Sequence, residues 1–258
     1  VKISILDILC CPLCHGSLTL HTRSLKEDVV VEGELKCSVC GKTYPLKNGL
    51  PNFIVKPCLR LSNRIQKLFY NIYAPLYDGL ERKLAESLGF SEEGLRMEVV
   101  SRMDIEKGNT VLEVCIGTGG NIPYYRKYTG GLIVGIDISE KMLSLCRNKA
   151  REEGWGSVEL FLGCAEYLPF KDEVFDRVLI GGGISYFSDP ARALREAARV
   201  VVNGGVVVVY EQVTLLEKLL GKDKPPVNLL PSNLSLLETA YIFNKRFYVI
   251  KTIKRASF

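Results

Sequence analysis

The segment Val111–Ser139 constrains the fold of this chain more than any other. It reads VLEVCIGTGGN, then a helix-length polar stretch, then IVGIDIS. An apolar strand runs into a glycine loop at Gly117, Gly119 and Gly120, and a second strand ends in Asp137, roughly 20 residues beyond Gly117. That spacing predicts a crossover in which the backbone approaches a nucleoside and an acid accepts hydrogen bonds from ribose hydroxyls. A pyrophosphate fingerprint would add a third glycine at position 122, where this chain has Ile122. The dinucleotide reading is weakened accordingly.

Segments at about 110–116, 132–138, 158–163, 174–181 and 205–213 have strand composition and alternate with helical stretches. Such alternation predicts an α/β fold with a doubly wound, mostly parallel sheet. NLSLLETAYIF and RFYVIKTIKR flank Asn244-Lys245 and read as a terminal hairpin, which brings the expected sheet to seven strands. Ahead of the sheet, helical spacing at Leu61, Ile65, Leu68, Phe69 and Ile72, a helix over about 78–88 and another over about 92–103 with Ser91 as N-cap are expected.

The first 55 residues differ in kind. Cys11-Pro-Leu-Cys14 and Cys37-Ser-Val-Cys40 are two Cys-x-x-Cys knuckles separated by about 22 residues. Four thiolates complete a tetrahedral zinc site with no open position, so the metal there is expected to be structural. A module of this size has too little core to fold alone, and zinc supplies the missing stability. Cys10 and His15 stand beside the first knuckle and are the competing ligands. Pro51 to Pro57 reads as the linker between the modules, and the expected organisation is a zinc ribbon over 1–55, a linker and helical cap over 56–108 and a nucleoside-binding core over 109–258.

The core resembles the class I S-adenosylmethionine-dependent methyltransferases, whose first motif reads acid-x-Gly-x-Gly-x-Gly. Cys115 stands here where the first glycine is usual. LGCAEYLPFKDEVFDRVLI and DPARALREAARVVVNGGVVVVYEQ extend the resemblance to the type-11, quinone-biosynthesis-like group, over about residues 70–254. It implies that Glu113, Cys115, Gly117, Thr118, Gly119 and Asn121 face the amino-acid end of S-adenosylmethionine, Asp137 its ribose and Ile138 its adenine. Cys164 occupies the place of an aspartate that commonly bonds the adenine amino group, with Ala165 and Glu166 beside it. Contact and plain packing both stay open for Cys164. Gly181, at the end of the fourth strand, is placed where the transferred methyl sits. ILDILCCPLCHGSLTL and ELKCSVCGKTYPLKNGLPNFI resemble the small zinc-ribbon activator subunit of several tRNA, rRNA and release-factor methyltransferases, here fused to the core.

The only histidines, His15 and His21, lie in the ribbon, so the core has no histidine base. An acceptor that ionises easily fits this limit, with Tyr186, Tyr77 and Glu211 as the candidates for base help. Tyr73 and Tyr77, in YNIYAPLYDGL, either line the cleft or pack helices on the sheet. Neither the Asn/Asp-Pro-Pro-Tyr motif of adenine amino methyltransferases nor the Pro-Cys nucleophile of cytosine C5 enzymes is present. The resemblance to quinone-biosynthesis methyltransferases implies a small-molecule acceptor of quinone or lipid-like class. An RNA acceptor gripped by the ribbon is the alternative, and the net charge of +5 is mild for it. The ribbon also offers a surface for a protein partner. No apolar run approaches the roughly 18 residues of a spanning helix, so a cytoplasmic protein is expected, with its nine cysteines in metal or packing roles rather than disulfides.

Overall fold

A computed structural model describes residues 1–59, 89–214, 218–219 and 223–256. The helices expected over 61–72 and 78–88, and the tyrosine segment with Tyr73 and Tyr77, lie outside the described residues. Four antiparallel strands form the ribbon in sequential order: β1 (Leu18–Lys26), β2 (Val29–Cys37), β3 (Thr43–Lys47) and β4 (Leu50–Pro51). The helix α1 (Glu92–Ser101) follows, and the Ser91 side chain accepts the Gly94 amide at 2.9 Å as its N-cap. The core then runs β5 (Val111–Val114), α2 (Ile122–Tyr125), β6 (Ile133–Asp137), α3 (Glu140–Glu152), β7 (Val158–Leu162), β8 (Phe175–Gly181), α4 (Pro190–Val200) and β9 (Val201–Gln212). The hairpin β10 (Leu234–Ile242) and β11 (Phe247–Lys254) closes it.

The large sheet has the order β10-β11-β9-β8-β5-β6-β7. Strands β5 to β9 pair in parallel, and β11 lies antiparallel to β9. From β5 the chain winds outward to β6 and β7, then returns to the other side of β5 for β8 and β9. The order reverses at β5, which opens a crevice beyond its carboxyl end. These strands read as near-continuous apolar runs because helices cover both faces; all four residues of β5 are buried. The helix α4 has Pro190 in its first turn and Asp189 as N-cap, and it buries Ala193, Leu194, Ala197, Ala198 and Val200.

Ribbon and core share one hydrophobic interior. Tyr44 and Phe53 from the ribbon side pack with tilted rings at 5.0 Å between centroids, and the contact continues through Phe161, Phe170 and Phe175 at 6.2, 5.3 and 5.1 Å. All five rings are buried. The stretch 51–57, expected as the linker, packs against the core. Asn52 bridges Leu162 in parallel at the edge of β7, the Phe53 amide donates to the Leu162 carbonyl at 2.7 Å, and Phe53 and Val55 enter the core. Turn residues suggested a loop, whereas the apolar side chains between the prolines are what tertiary packing uses.

A second difference concerns sulfur. Cys58 and Cys164 form a disulfide across 106 residues of chain, with Cα atoms 6.0 Å apart. The expectation of no disulfide is corrected here, because chain packing brings these two buried side chains to bonding distance. Among the described residues, no helix is long and apolar enough to cross a membrane.

Candidate functional site: the crevice at the carboxyl end of β5

The loop after β5 is shaped by two acids. Asp137, at the end of β6, accepts the Gly117 amide at 2.9 Å through one carboxylate oxygen and the Ser139 amide at 2.8 Å through the other. It thereby fixes both strand-to-helix turns around one point. Burial pushes its pKa up, and the amide bonds from Ser139 and Gly117 pull it back. Glu113 is buried in β5, where its two oxygens accept the Asn121 side-chain amide at 2.6 Å and the Tyr125 hydroxyl at 2.9 Å. Burial pushes its pKa up to about 7 against those bonds and the Arg96 charge.

Between the acids the backbone is laid bare. Gly119 has φ +81°, and a Cβ there would stand 2.7 Å from Cys146 Sγ, so a side chain is excluded on both counts. Cys115 holds φ +64°, a left-handed conformation that explains why glycine is the usual residue there. Thr118 and Asn121 are buried in the loop, while Ile138 and Gly181 are half-buried at its rim.

The four knuckle cysteines converge separately. The Sγ atoms of Cys11, Cys14, Cys37 and Cys40 lie within 4.8 Å of one another, with Cys11–Cys40 at 3.7 Å and Cys14–Cys37 at 3.5 Å. Sulfurs around a tetrahedral zinc stand about 3.8 Å apart for a Zn–S bond of about 2.3 Å, so the cluster fits that ion. The Val39 and Cys40 amides point at Cys37 Sγ at 3.4 and 3.5 Å, and the Tyr44 hydroxyl lies 3.0 Å from Cys11 Sγ. Cys10 and His15 serve otherwise. The Cys10 thiol donates to the Phe170 carbonyl at 3.0 Å, with burial pushing its pKa up to about 11, and His15 faces Glu196 at 3.9 Å.

The ubiE/COQ5 methyltransferase family model matches residues 60–223, more than half of the chain. The chain belongs to this family. A Trm112p-like family model matches residues 2–49. A demethylmenaquinone methyltransferase of Oceanobacillus iheyensis is 34% identical over 157 residues, which cover 59% of this chain and 64% of that protein. The matched part thus spans under two thirds of that relative's length. Among solved structures, the [4+2]-cyclase SpnF is similar with a TM-score of 0.59 and 17% identity, covering 74% of this chain and 96% of that one. A chain in a complex between the Haloferax volcanii Trm112 methyltransferase activator and a methyltransferase is similar with a TM-score of 0.57 and 17% identity, covering 72% and 98%. At such identity these structures speak for the fold alone.

In this ubiE/COQ5 family member the remaining site residues divide into groups. Ala165 and Glu166 are buried just beyond β7, and Glu166 accepts the Ser188 amide at 2.9 Å while its carbonyl accepts Arg192 Nε at 2.6 Å. Cys164 lies in the same turn, and of the two readings left open for it the bond of its sulfur to Cys58 favours a packing role. Of the base candidates, Tyr186 is 45% exposed, Tyr77 lies outside the described residues, and Glu211 is buried. Glu211 accepts the Ser185 amide at 3.2 Å and its hydroxyl at 3.1 Å, an arrangement that steadies the turn after β8.

Three residues around the loop were not anticipated from sequence. Arg96, on α1, reaches Asn121 Oδ1 and the Tyr210 hydroxyl, each at 3.3 Å, and pairs with Glu92 at 3.0 Å. Tyr125 and Tyr210 complete the same cluster. The i,i+4 acid–arginine spacing of Glu92 and Arg96 is visible in sequence, but it reads as ordinary surface helix pairing.

Proposed function

We propose that the chain is an S-adenosylmethionine-dependent methyltransferase whose acceptor is a small organic molecule with an easily ionised group, of the hydroquinone class. The observation that carries the cofactor reading is Asp137, held by the Gly117 and Ser139 amides at the switch point of a sheet matched by a methyltransferase family. The bare loop at Gly117–Gly119 fits close approach of a nucleoside, and the carboxylate oxygens that hold the turns have lone pairs left for ribose hydroxyls. When bound, S-adenosylmethionine supplies a sulfonium methyl group open to in-line displacement. The protein's part is to orient and to exclude water. The buried Glu113–Asn121–Tyr125 set keeps the loop in shape, and Glu211 steadies the Ser185 turn beside the expected acceptor position.

The acceptor reading rests on the demethylmenaquinone methyltransferase relatives and on the absence of histidine from the core. A hydroquinone hydroxyl ionises with weak base help and passes its charge to the ring carbon that takes the methyl group. Zinc, held by Cys11, Cys14, Cys37 and Cys40, has no open position for chemistry and acts on the fold through Tyr44 and Phe53.

The test is incubation of the protein with methyl-labelled S-adenosylmethionine and a chemically reduced, demethylated prenyl-naphthoquinone. Label in the quinol supports the reading, and a cofactor-binding protein that leaves the quinol unlabelled refutes it. The Trm112p-like match at residues 2–49 favours RNA as the second acceptor class. Steeply salt-dependent RNA binding together with label in RNA would put that reading first.

A further inference from the structure

The turn that follows β8 sits on the carboxyl end of β9. Gly182 and Gly183 hold φ +73° and +87°, and the Gly182 amide donates to the Tyr210 carbonyl at 3.0 Å, so two left-handed glycines fold the chain back over the neighbouring strand. Ser185 thereby lands on Glu211. One carboxylate oxygen of Glu211 accepts the Ser185 amide at 3.2 Å and the Ser185 hydroxyl at 3.1 Å, and the other accepts the Gln212 amide at 3.1 Å. Three donors thus converge on a buried carboxylate, and the hydroxyl hydrogen of Ser185 is one of them. Glu211 shares the crevice of Asp137: burial, then the charges of Asp137, Glu166, Glu211 and Glu113, push the pKa of the Cys115 thiol at the glycine loop well up. Ser185 is half-buried, and among the described residues a Cβ on Gly182 would meet nothing within 4 Å, so the turn has room beside it.

A serine hydroxyl has one hydrogen and two lone pairs, and here the hydrogen is committed to Glu211. We infer that Ser185, oriented by Glu211, reads the hydroxyl hydrogen of the acceptor, so that the site takes a hydroquinone and turns away the corresponding quinone; this rests on the acceptor reading above. A hydroquinone O–H donates to Ser185 Oγ, whereas a quinone carbonyl would set two acceptor oxygens against each other. For Ser185 to turn and donate to that carbonyl, the buried Glu211 carboxylate would have to lose one of its donors. The selection serves the reaction. Only the reduced ring is electron-rich enough to displace a methyl group from a sulfonium, so an oxidised acceptor would occupy the site without turning over. Glu211 acts through Ser185 and is a positioning residue.

The test is calorimetric, with S-adenosylhomocysteine present so that nothing turns over. Wild-type protein, Ser185→Ala, Ser185→Thr and Glu211→Gln are titrated with two redox-stable probes. One is the monomethyl ether of the demethylated prenyl-naphthoquinol, which keeps one hydroxyl; the other is its dimethyl ether, which keeps none. The wild type is expected to prefer the monomethyl ether about 10-fold, the worth of one hydrogen bond whose loss leaves a polar group unpaired, and this arm does not depend on any variant folding. Ser185→Ala removes the reading oxygen, and Glu211→Gln adds a donor that lets the Ser185 hydroxyl turn toward an ether oxygen; each is expected to bring the two probes within about twofold. Ser185→Thr keeps the hydroxyl and is expected to keep the preference, whereas a merely structural role would weaken both probes alike. Equal wild-type affinity for the two probes overturns the inference, as does a preference that survives in Ser185→Ala. Wild-type protein that binds neither ether refutes the acceptor reading and the inference with it.

Discussion

Loss of the Cys58–Cys164 crosslink is expected to destabilise the protein by about 5 kcal/mol. The two cysteines are 106 residues apart, so in the unfolded chain the bond closes a long loop. The chain-entropy relation gives about 2.1 + 1.5R ln n cal/mol/K, which for this loop is about 4.8 kcal/mol at 25 °C. Both side chains are buried, at 0% and 5% exposure, so the released thiols add little hydration energy and the effect lies mainly in the unfolded state. A chain of this size shifts its Tm by about 2–4 °C per kcal/mol, which predicts a fall of about 10–20 °C. The assay is thermal unfolding of the untreated protein against fully reduced and refolded protein and against Cys58→Ala/Cys164→Ala. Thiol titration of unfolded, chelated, unreduced protein is expected to find the seven remaining cysteines. Nine thiols, or midpoints within about 2 °C of one another, would refute the reasoning.

Further expectations follow from single contacts. Metal analysis should find about one zinc per chain, and its removal by a chelator should lower the unfolding midpoint of the whole chain, since Cys11, Tyr44 and Phe53 lead directly into the core. Phe53→Ala removes a fully buried ring from the seam between ribbon and core and should cost about 3–5 kcal/mol in denaturant unfolding. Asp137→Ala should weaken cofactor binding about 10- to 100-fold by calorimetry, with the circular dichroism spectrum retained. Glu113 titrates near 7 in the folded protein against 4.5 in the reference state, so the folded state keeps a proton that the unfolded chain has lost. Its contribution to stability is full below about pH 4.5 and declines as the pH rises to about 7; Glu113→Gln should remove that slope from the pH dependence of the urea midpoint.

Periodicity and turn chemistry make most of the fold legible in the sequence. The strands of the parallel sheet, the Ser91 cap and the closing hairpin follow from local pattern, because parallel strands buried on both faces have to be apolar throughout. The cysteine knuckles were legible for the same reason: two local turns bring thiols to metal distance. What stayed hidden was long-range. Nothing around Cys58 announces Cys164, and the run Pro51–Pro57 looks like loop until its alternate side chains meet β7 and the aromatic seam. Within the site, Asp137 and the glycine loop were identified by spacing, whereas Arg96 arrives from a helix whose sequence carries no motif. Cys115 was visible as a departure from the usual glycine, but its positive φ needed the backbone.

The most direct test of the central claim is to supply the purified protein with methyl-labelled S-adenosylmethionine and fractionated cell extract, and to follow the label. The account predicts label in an organic-soluble small molecule, lost in Asp137→Ala. Label confined to RNA or protein, or S-adenosylmethionine that neither binds nor yields its methyl group, would contradict it.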